Sequence, residues 1–215
     1  MLRLAYNNIN LMAETFFSDI LIKACADSCI NVCIEDYYIE SGDDLVAVKS
    51  GWDQYGIRIA RRSSNIIVRR ISGTTPSCSG VGIGTAGVRI KTDKGRGRYI
   101  SNIIIKNITM DGVKVPIRFS TDSSDHPDDG WDPIAFPKIK GVFISNIISL
   151  NSTKAPELTG LKGASFEGVC FKNVMVLGLA PNAAWHCEFV SGCANAVFPL
   201  PCPQLQINGS SACCL

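Results

Sequence analysis

The sequence predicts an all-β protein, a single-stranded parallel β-helix, and three observations carry that prediction. Helical periodicity is nearly absent along the 215 residues. Short runs rich in Ile and Val recur, each bounded by Gly, Ser, Asn or Asp, which is the punctuation of strands. The runs also repeat. "NVCIEDYYIESGDDLVAVKSG" from Asn31, "NIIVRRISGTTPSCSGVGIGT" from Asn65 and "NIIIKNITMDGVKVPIRFSTD" from Asn102 align with one another. A repeat of this length made of strand alone is the mark of a solenoid.

Each repeat opens with Asn, runs three residues of strand, turns, and reaches a second strand about 15 residues later, a reading based on the solenoid repeat pattern. The second strands are Val46–Val48, Val81–Ile83 and Ile117–Phe119. Weaker copies of the first half start at Gly141 ("GVFISNIISLN") and Gly168 ("GVCFKNVMVLG"), so the openings are separated by 34, 37, 39 and 27 residues. Stacked parallel strands place like residue above like, giving internal Ile/Val ladders. Asparagines at matching turns are expected to stack as well, each bonding the backbone of its neighbour. Propeller blades would need hairpin signals, and only "MDG" at 110–112 and "DDG" at 128–130 qualify. A β-sandwich is the alternative fold.

One place breaks the repeat. "AGVRIKT" at 86–92 reads as a second strand, but no Asn-led first strand precedes it. From Gly84 to Val88 the chain spans at most roughly 14 Å, and a full coil needs about 20 residues or more. Val81–Ile83 and Val88–Lys91 are therefore not expected at equivalent places on successive coils, and about one coil of chain is inferred to be missing between them. The domain reading is a divergent segment over 1–30, the β-helix over 31–206 and a tail over 207–215.

Composition narrows the function classes. A net charge of +2 with scattered basic residues argues against nucleic acid and an anionic membrane. No apolar run approaches the roughly 20 residues of a membrane span. The N-terminal stretch is broken by Asn7, Asn8, Asn10, Glu14 and Asp19, so it is a poor signal peptide. The 10 cysteines lack zinc spacing, and disulfides in an oxidising compartment are the better reading. Cys187 and Cys202 bracket a C-terminal segment and are expected to pair, whereas Cys170 reads as a buried thiol. N-x-S/T acceptors at Asn107, Asn151 and Asn208 agree with a secreted glycoprotein. "DSSDHPDDGWD", which contains His126, lacks the spacing of a calcium loop and reads as a solvated surface. His186 reads as structural, beside Trp185. "GVGIGTAG" has no βαβ unit around it, so the dinucleotide reading carries little weight.

The chemistry concentrates on the second strands. Asp43 and Asp44 precede the first, and a like-charged pair raises at least one pKa. Arg89 and Lys91 share a face of "VRIKT", with Val88 and Ile90 on the other. Superposed by the repeat, acids and cations meet on one wall, which suits an anionic substrate held by cations and attacked by a carboxyl group.

"SGDDLVAVKSG", "CSGVGIG", "GVRIKT" and the closing "WHCEFVSGCANAVFPLPCPQLQ", spread over roughly residues 27–206, resemble plant polygalacturonase-like proteins, family 28 of the glycoside hydrolases. The resemblance implies a right-handed parallel β-helix of the pectin lyase-like kind, incomplete at its N-terminus. It implies inverting hydrolysis of α-1,4-galacturonan, the pectin backbone of the plant cell wall, by a secreted monomer with no cofactor or metal. Asp43 would be the general acid, Asp44 the base or part of it, and Arg89 and Lys91 the grip on the galacturonate carboxylate. The chain also departs from the family pattern. The third aspartate, from an N-T-D motif, is replaced by Ile22, with Asp19 and Asp27 out of register, and Ser79 stands at the G-H-G histidine. A shortened N-terminal third would leave an uncapped solenoid end. The alternative reading is therefore an inactive pectin-binding or structural remnant.

Overall fold

A computed structural model describes residues 2–6, 9–13, 30–40, 46–47, 63–74, 81–83, 88–91, 94–95, 99–121 and 132–206. Two sheets contain all the strands among the described residues. The long sheet is built from β1 (Leu2–Tyr6), β2 (Ile9–Ala13), β3 (Ile30–Glu40), β5 (Ser63–Thr74), β8 (Tyr99–Asp111), β10 (Lys138–Leu150), β12 (Phe166–Val176) and β14 (Val190–Phe198). The short sheet is built from β4 (Val46–Ala47), β6 (Val81–Ile83), β7 (Val88–Lys91), β9 (Ile117–Ser120), β11 (Glu157–Thr159) and β13 (His186–Glu188). From β3 onward every neighbouring pair in both sheets is parallel, so the chain winds as a β-helix. No helix among the described residues is long and apolar enough to cross a membrane.

The long strands of 11–13 residues are bent. A straight strand alternates its faces with period two. In β8 the inward residues are Ile100, Ile103, Ile105, Ile108 and Met110, with a step of three across Asn102 and again across Asn107. Both asparagines have positive φ, 54° and 57°. One left-handed residue turns the chain and resets the alternation, so the residues after the corner again face inward. Asn is the non-glycine residue that visits this region most readily. The first corner falls at Asn31, Asn65, Asn102, Gly141 and Gly168, and the second at Asp36, Arg70, Asn107, Asn146, Asn173 and Ala196, all with positive φ. The opening asparagines are thus corners inside one continuous ladder, not the starts of strands.

The corner side chains bond one another and not the neighbouring backbone as expected. Asn146 Nδ2 donates to Asn107 Oδ1 at 2.8 Å, Asn173 Nδ2 to Asn146 Oδ1 at 3.0 Å, and Asn65 Nδ2 to Asn31 Oδ1 at 2.9 Å. Registered coils bring identical amides together, and each has both a donor and an acceptor to offer. At the second corner of β3 and β5 the amides give way to ions. Arg70 forks onto Asp36 through Nε at 2.5 Å and Nη2 at 2.7 Å, and Nη2 also reaches Glu35 at 2.8 Å. Arg69 Nε bonds the same Glu35 carboxylate.

Inside, the ladders run Val32, Ile66, Ile103, Val142, Val169 and Tyr37, Ile71, Ile108, Ile147, Val174, all buried. Fully burying one such side chain is worth about 1.5–3 kcal/mol, against about 1 kcal/mol for a neutral hydrogen bond. Apolar stacking therefore drives assembly, and the corners fix its geometry.

Three further expectations change. The β1–β2 hairpin, whose register pairs Tyr6 with Ile9, lies antiparallel on β3 (Leu4 with Ile34, Ala5 with Cys33), so the edge of β3 is covered. Cys170 is disulfide-bonded, as is Cys193 opposite it in β14. Cys187 and Cys202 are bonded as expected, across 15 residues. Finally, β6 and β7 are adjacent and parallel, Gly82 opposite Arg89 and Ile83 opposite Ile90. The two strands expected to be a coil apart are therefore direct neighbours in one sheet. In the long sheet β5 pairs directly with β8. The short sheet thus holds one strand, β7, with no long-sheet partner of its own, and that is the imprint of the break in the repeat.

Two outcomes follow for stability. Asn146→Ala removes two side-chain bonds and puts a residue with no polar side chain to ease the left-handed region in place of one that visits it readily. It should lower unfolding free energy by about 1–2 kcal/mol in urea titrations, with Asn146→Gly costing less because glycine tolerates the corner. The hydrogen bond from Arg69, and then the charges of Arg69 and Arg70, hold the Glu35 carboxyl below its usual range. A depressed carboxyl stabilises the fold above its unfolded pKa, and that contribution is lost as pH falls through the folded value. Melting temperature should therefore fall below about pH 4.5, and Glu35→Gln should flatten that acid arm while lowering the melting temperature at pH 7.

Candidate active site on the short sheet

The short sheet has a firm floor. Ile90, Phe119 and Leu158 are fully buried in one registered row, which Cys187 continues. Phe119 packs edge-on to Phe166 at 5.6 Å, and Phe171 packs edge-on to Trp185 at 5.2 Å. Alternation sends the residues between these anchors to the outer face.

The neighbouring row reads Ala47, Gly82, Arg89, Arg118, Glu157 and His186 across β4, β6, β7, β9, β11 and β13. Two small residues therefore precede a charged run. Arg118 Nε lies 3.2 Å from Glu157 Oε2, with both side chains about one-third exposed. His186 Nε2 lies 3.4 Å from Glu188 Oε1, and both are largely exposed. The imidazole faces out while Trp185 beside it is buried, so His186 is a surface residue. Behind the row Thr121 Oγ1 donates to the carbonyls of Thr159 and Gly160 at 3.2 and 3.3 Å, tying β9 to the end of β11.

Of the sequence-derived site residues, Arg89 and Lys91 lie in β7 on either side of buried Ile90. Arg89 is opposite Arg118, and Lys91 is opposite Ser120. Asp43, Asp44, Ser79, Ile22, Asp19, Asp27 and His126 fall outside the described residues. The strand that follows the aspartate doublet, β4, belongs to the same sheet as β7, with β6 alone between them. Two strand spacings amount to roughly 10 Å. Sequence reasoning missed Arg118, Glu157 and Glu188. Arg118 was legible, because "IRF" repeats "VRI" one rung on. Strands as short as "ELT" and "HCE" carry no periodic signal. Among the described residues no group of three or more His, Cys, Asp or Glu side chains forms a metal site.

The sequence profile of glycosyl hydrolases family 28 matches residues 25–198. The chain belongs to that family. Its parallel coils are those of the right-handed β-helix on which family 28 is built. A Vitis vinifera protein named "Probable polygalacturonase" is 34% identical over 205 residues, covering 85% of this chain and 42% of the relative. "Polygalacturonase-2" of Solanum lycopersicum is 27% identical, covering 83% of this chain and 42% of its own. "Polygalacturonase QRT2" of Arabidopsis thaliana is 26% identical, covering 70% and 35%. The chain thus spans less than half the length of these curated relatives.

Proposed function

We propose that this chain is a polygalacturonase-type glycosidase that binds α-1,4-galacturonan along the outer face of the short sheet and hydrolyses it with inversion. One observation carries the reading: the strand after the aspartate doublet and the strand holding Arg89 and Lys91 share one sheet, one strand apart. Arg89 and Lys91 hold the galacturonate carboxylate, the guanidinium as a planar fork and the ammonium as a point charge. Asp43 protonates the glycosidic oxygen as its C–O bond breaks. Asp44 takes the proton from a water that attacks the anomeric carbon from the opposite face. Inverting chemistry asks for carboxyl groups roughly 6.5–9.5 Å apart to admit that water. The disulfide-bonded Cys170, Cys187, Cys193 and Cys202 support an oxidising, secreted setting at the cell wall.

A second reading rests on a specific residue. Ile22 stands where the family pattern has its third aspartate, and a hydrocarbon cannot take a proton from water. On that reading the sheet binds galacturonan without turning it over.

Reducing-end release from polygalacturonate decides between them. Asp43→Asn should lower kcat by about 10²–10⁴, and Arg89→Ala should raise KM while leaving kcat nearly unchanged. If the wild type releases no more reducing ends than Asp43→Asn, yet binds oligogalacturonate in a way that Arg89→Ala abolishes, the binding-only reading stands instead.

A further inference from the structure

The long sheet carries a second polar surface that the short-sheet chemistry does not use. After its second corner the outward row runs Tyr38, Ser72 and Thr109, in register on β3, β5 and β8. Their neighbours Tyr37, Ile71 and Ile108 are buried, so the floor is fixed. Tyr38 is 66% exposed. At the edge of the same facet Asp111 accepts a hydrogen bond from Asn151 Nδ2 at 2.7 Å through one carboxylate oxygen, which leaves the other oxygen as an acceptor. At Gly112 an added Cβ would meet no atom within 4 Å, so the surface is open there. These six residues and Met110 line a groove of about 480 Å³.

We propose that this groove binds a short neutral oligosaccharide. An exposed aromatic ring offers a flat apolar plane to the C–H face of a sugar ring. Ser72 and Thr109 each bring a hydroxyl that donates and accepts, and Asp111 and Asn151 add an acceptor and an amide. That combination of one apolar plane and several short polar groups matches a pyranose better than it matches a peptide. A strand-forming peptide would need an open sheet edge, and β5 and β8 are paired on both sides. The charge balance selects a neutral ligand. Among the described residues no Lys, Arg or His lines the groove, and its one ionisable carboxyl among them, Asp111, repels a uronate. Beyond Thr109 the same row turns apolar with Ile148, Met175 and Phe198, so the polar stretch covers three coils, roughly 10 Å. This site and the polyanion site of the short sheet stand on different sheets, and neither proposal rests on the other.

Calorimetric titration of the full chain with cellotetraose, β-1,4-galactotetraose and α-1,5-arabinotetraose tests it, with trigalacturonate as the charged competitor. At least one neutral probe should bind saturably. Tyr38→Ala should weaken that binding by about tenfold or more, Tyr38→Phe should retain it, and Thr109→Val should weaken it less than Tyr38→Ala does. If Tyr38→Ala does not fold, the comparison of Thr109→Val with Tyr38→Phe decides the matter. The proposal is overturned if no neutral probe binds, if Tyr38→Ala binds like wild type, if Thr109→Val and Tyr38→Phe are indistinguishable, or if trigalacturonate competes. Polygalacturonate hydrolysis, measured separately, reports on the short sheet alone.

Discussion

The structure depends on a single backbone constraint. A strand that must enclose its own core has to turn without exposing its inner face, and period-two alternation forbids that unless a residue is inserted out of phase. The left-handed residue at each corner is that insertion. It is cheap for Asn and Gly and costs most other residues about 1–2 kcal/mol. Arg70 and Ala196 occupy corners regardless, with φ of 55° and 53°. For Arg70 the fork onto Asp36 and the bond to Glu35 offset that cost, because charge-assisted bidentate pairs are roughly twice as strong as neutral hydrogen bonds. The side chains at the corners then determine register. A slip of one residue would put an amide against a strand position and turn every inner Ile outward.

The mismatch between the two sheets gives the short sheet its character. Between coils that are direct neighbours in the long sheet, the short sheet holds β7 as well. Two spacings on one wall face one spacing on the other, so the stack cannot be uniform there. Without β7, Arg118 would stand directly beside Gly82. With it, two arginines occupy consecutive rungs of one row, and the second is matched to Glu157. The insertion thus adds a cationic rung between the small residues Ala47 and Gly82 and the Arg118–Glu157 pair.

Much of this was legible in the sequence, and the rest was hidden for identifiable reasons. The Ile and Val ladders and the second strands at Val46, Val81, Val88 and Ile117 were readable because buried apolar alternation is a strong signal. The corners were written there too, at a spacing of five: Asn102, Asn107 and Gly112, then Gly141, Asn146 and Asn151, then Gly168, Asn173 and Gly178. Reading each Asn as a strand opening concealed that, since a left-handed residue within a continuous ladder looks like a turn in one dimension. The adjacency of β6 and β7 was hidden because the sequence was read with a full circuit as the only route to a parallel neighbour. The β1–β2 hairpin lacked an Asn-Gly or Asp-Gly turn, and β11, β13 and β14 are either too short or too interrupted by Gly and Ala to show a period. At the site, the cations of β7 could be placed by alternation, whereas the Arg118–Glu157 pairing depends on which coil lies above which, and that is set by the whole stack.

The two ends of the solenoid are held by different forces, and the candidate site lies towards one of them. At the C-terminal end the packed rings of Phe119, Phe166, Phe171 and Trp185, the Cys187–Cys202 bond and the buried Leu205 of the Pro203–Leu205 turn close the core. At the N-terminal end β3 and β5 are joined by partly exposed ion pairs, and β3 is flanked by a two-stranded antiparallel ribbon. Exposed ion pairs weaken with salt and acid, whereas aromatic packing and a covalent bond do not. In a solenoid each coil contacts only its neighbours, so opening can begin at the weaker end without disturbing the other. The rung that follows Asp43 and Asp44 therefore lies at the end whose ion pairs respond to salt and acid, and the charged row from Arg118 to His186 at the end closed by aromatic packing and a disulfide.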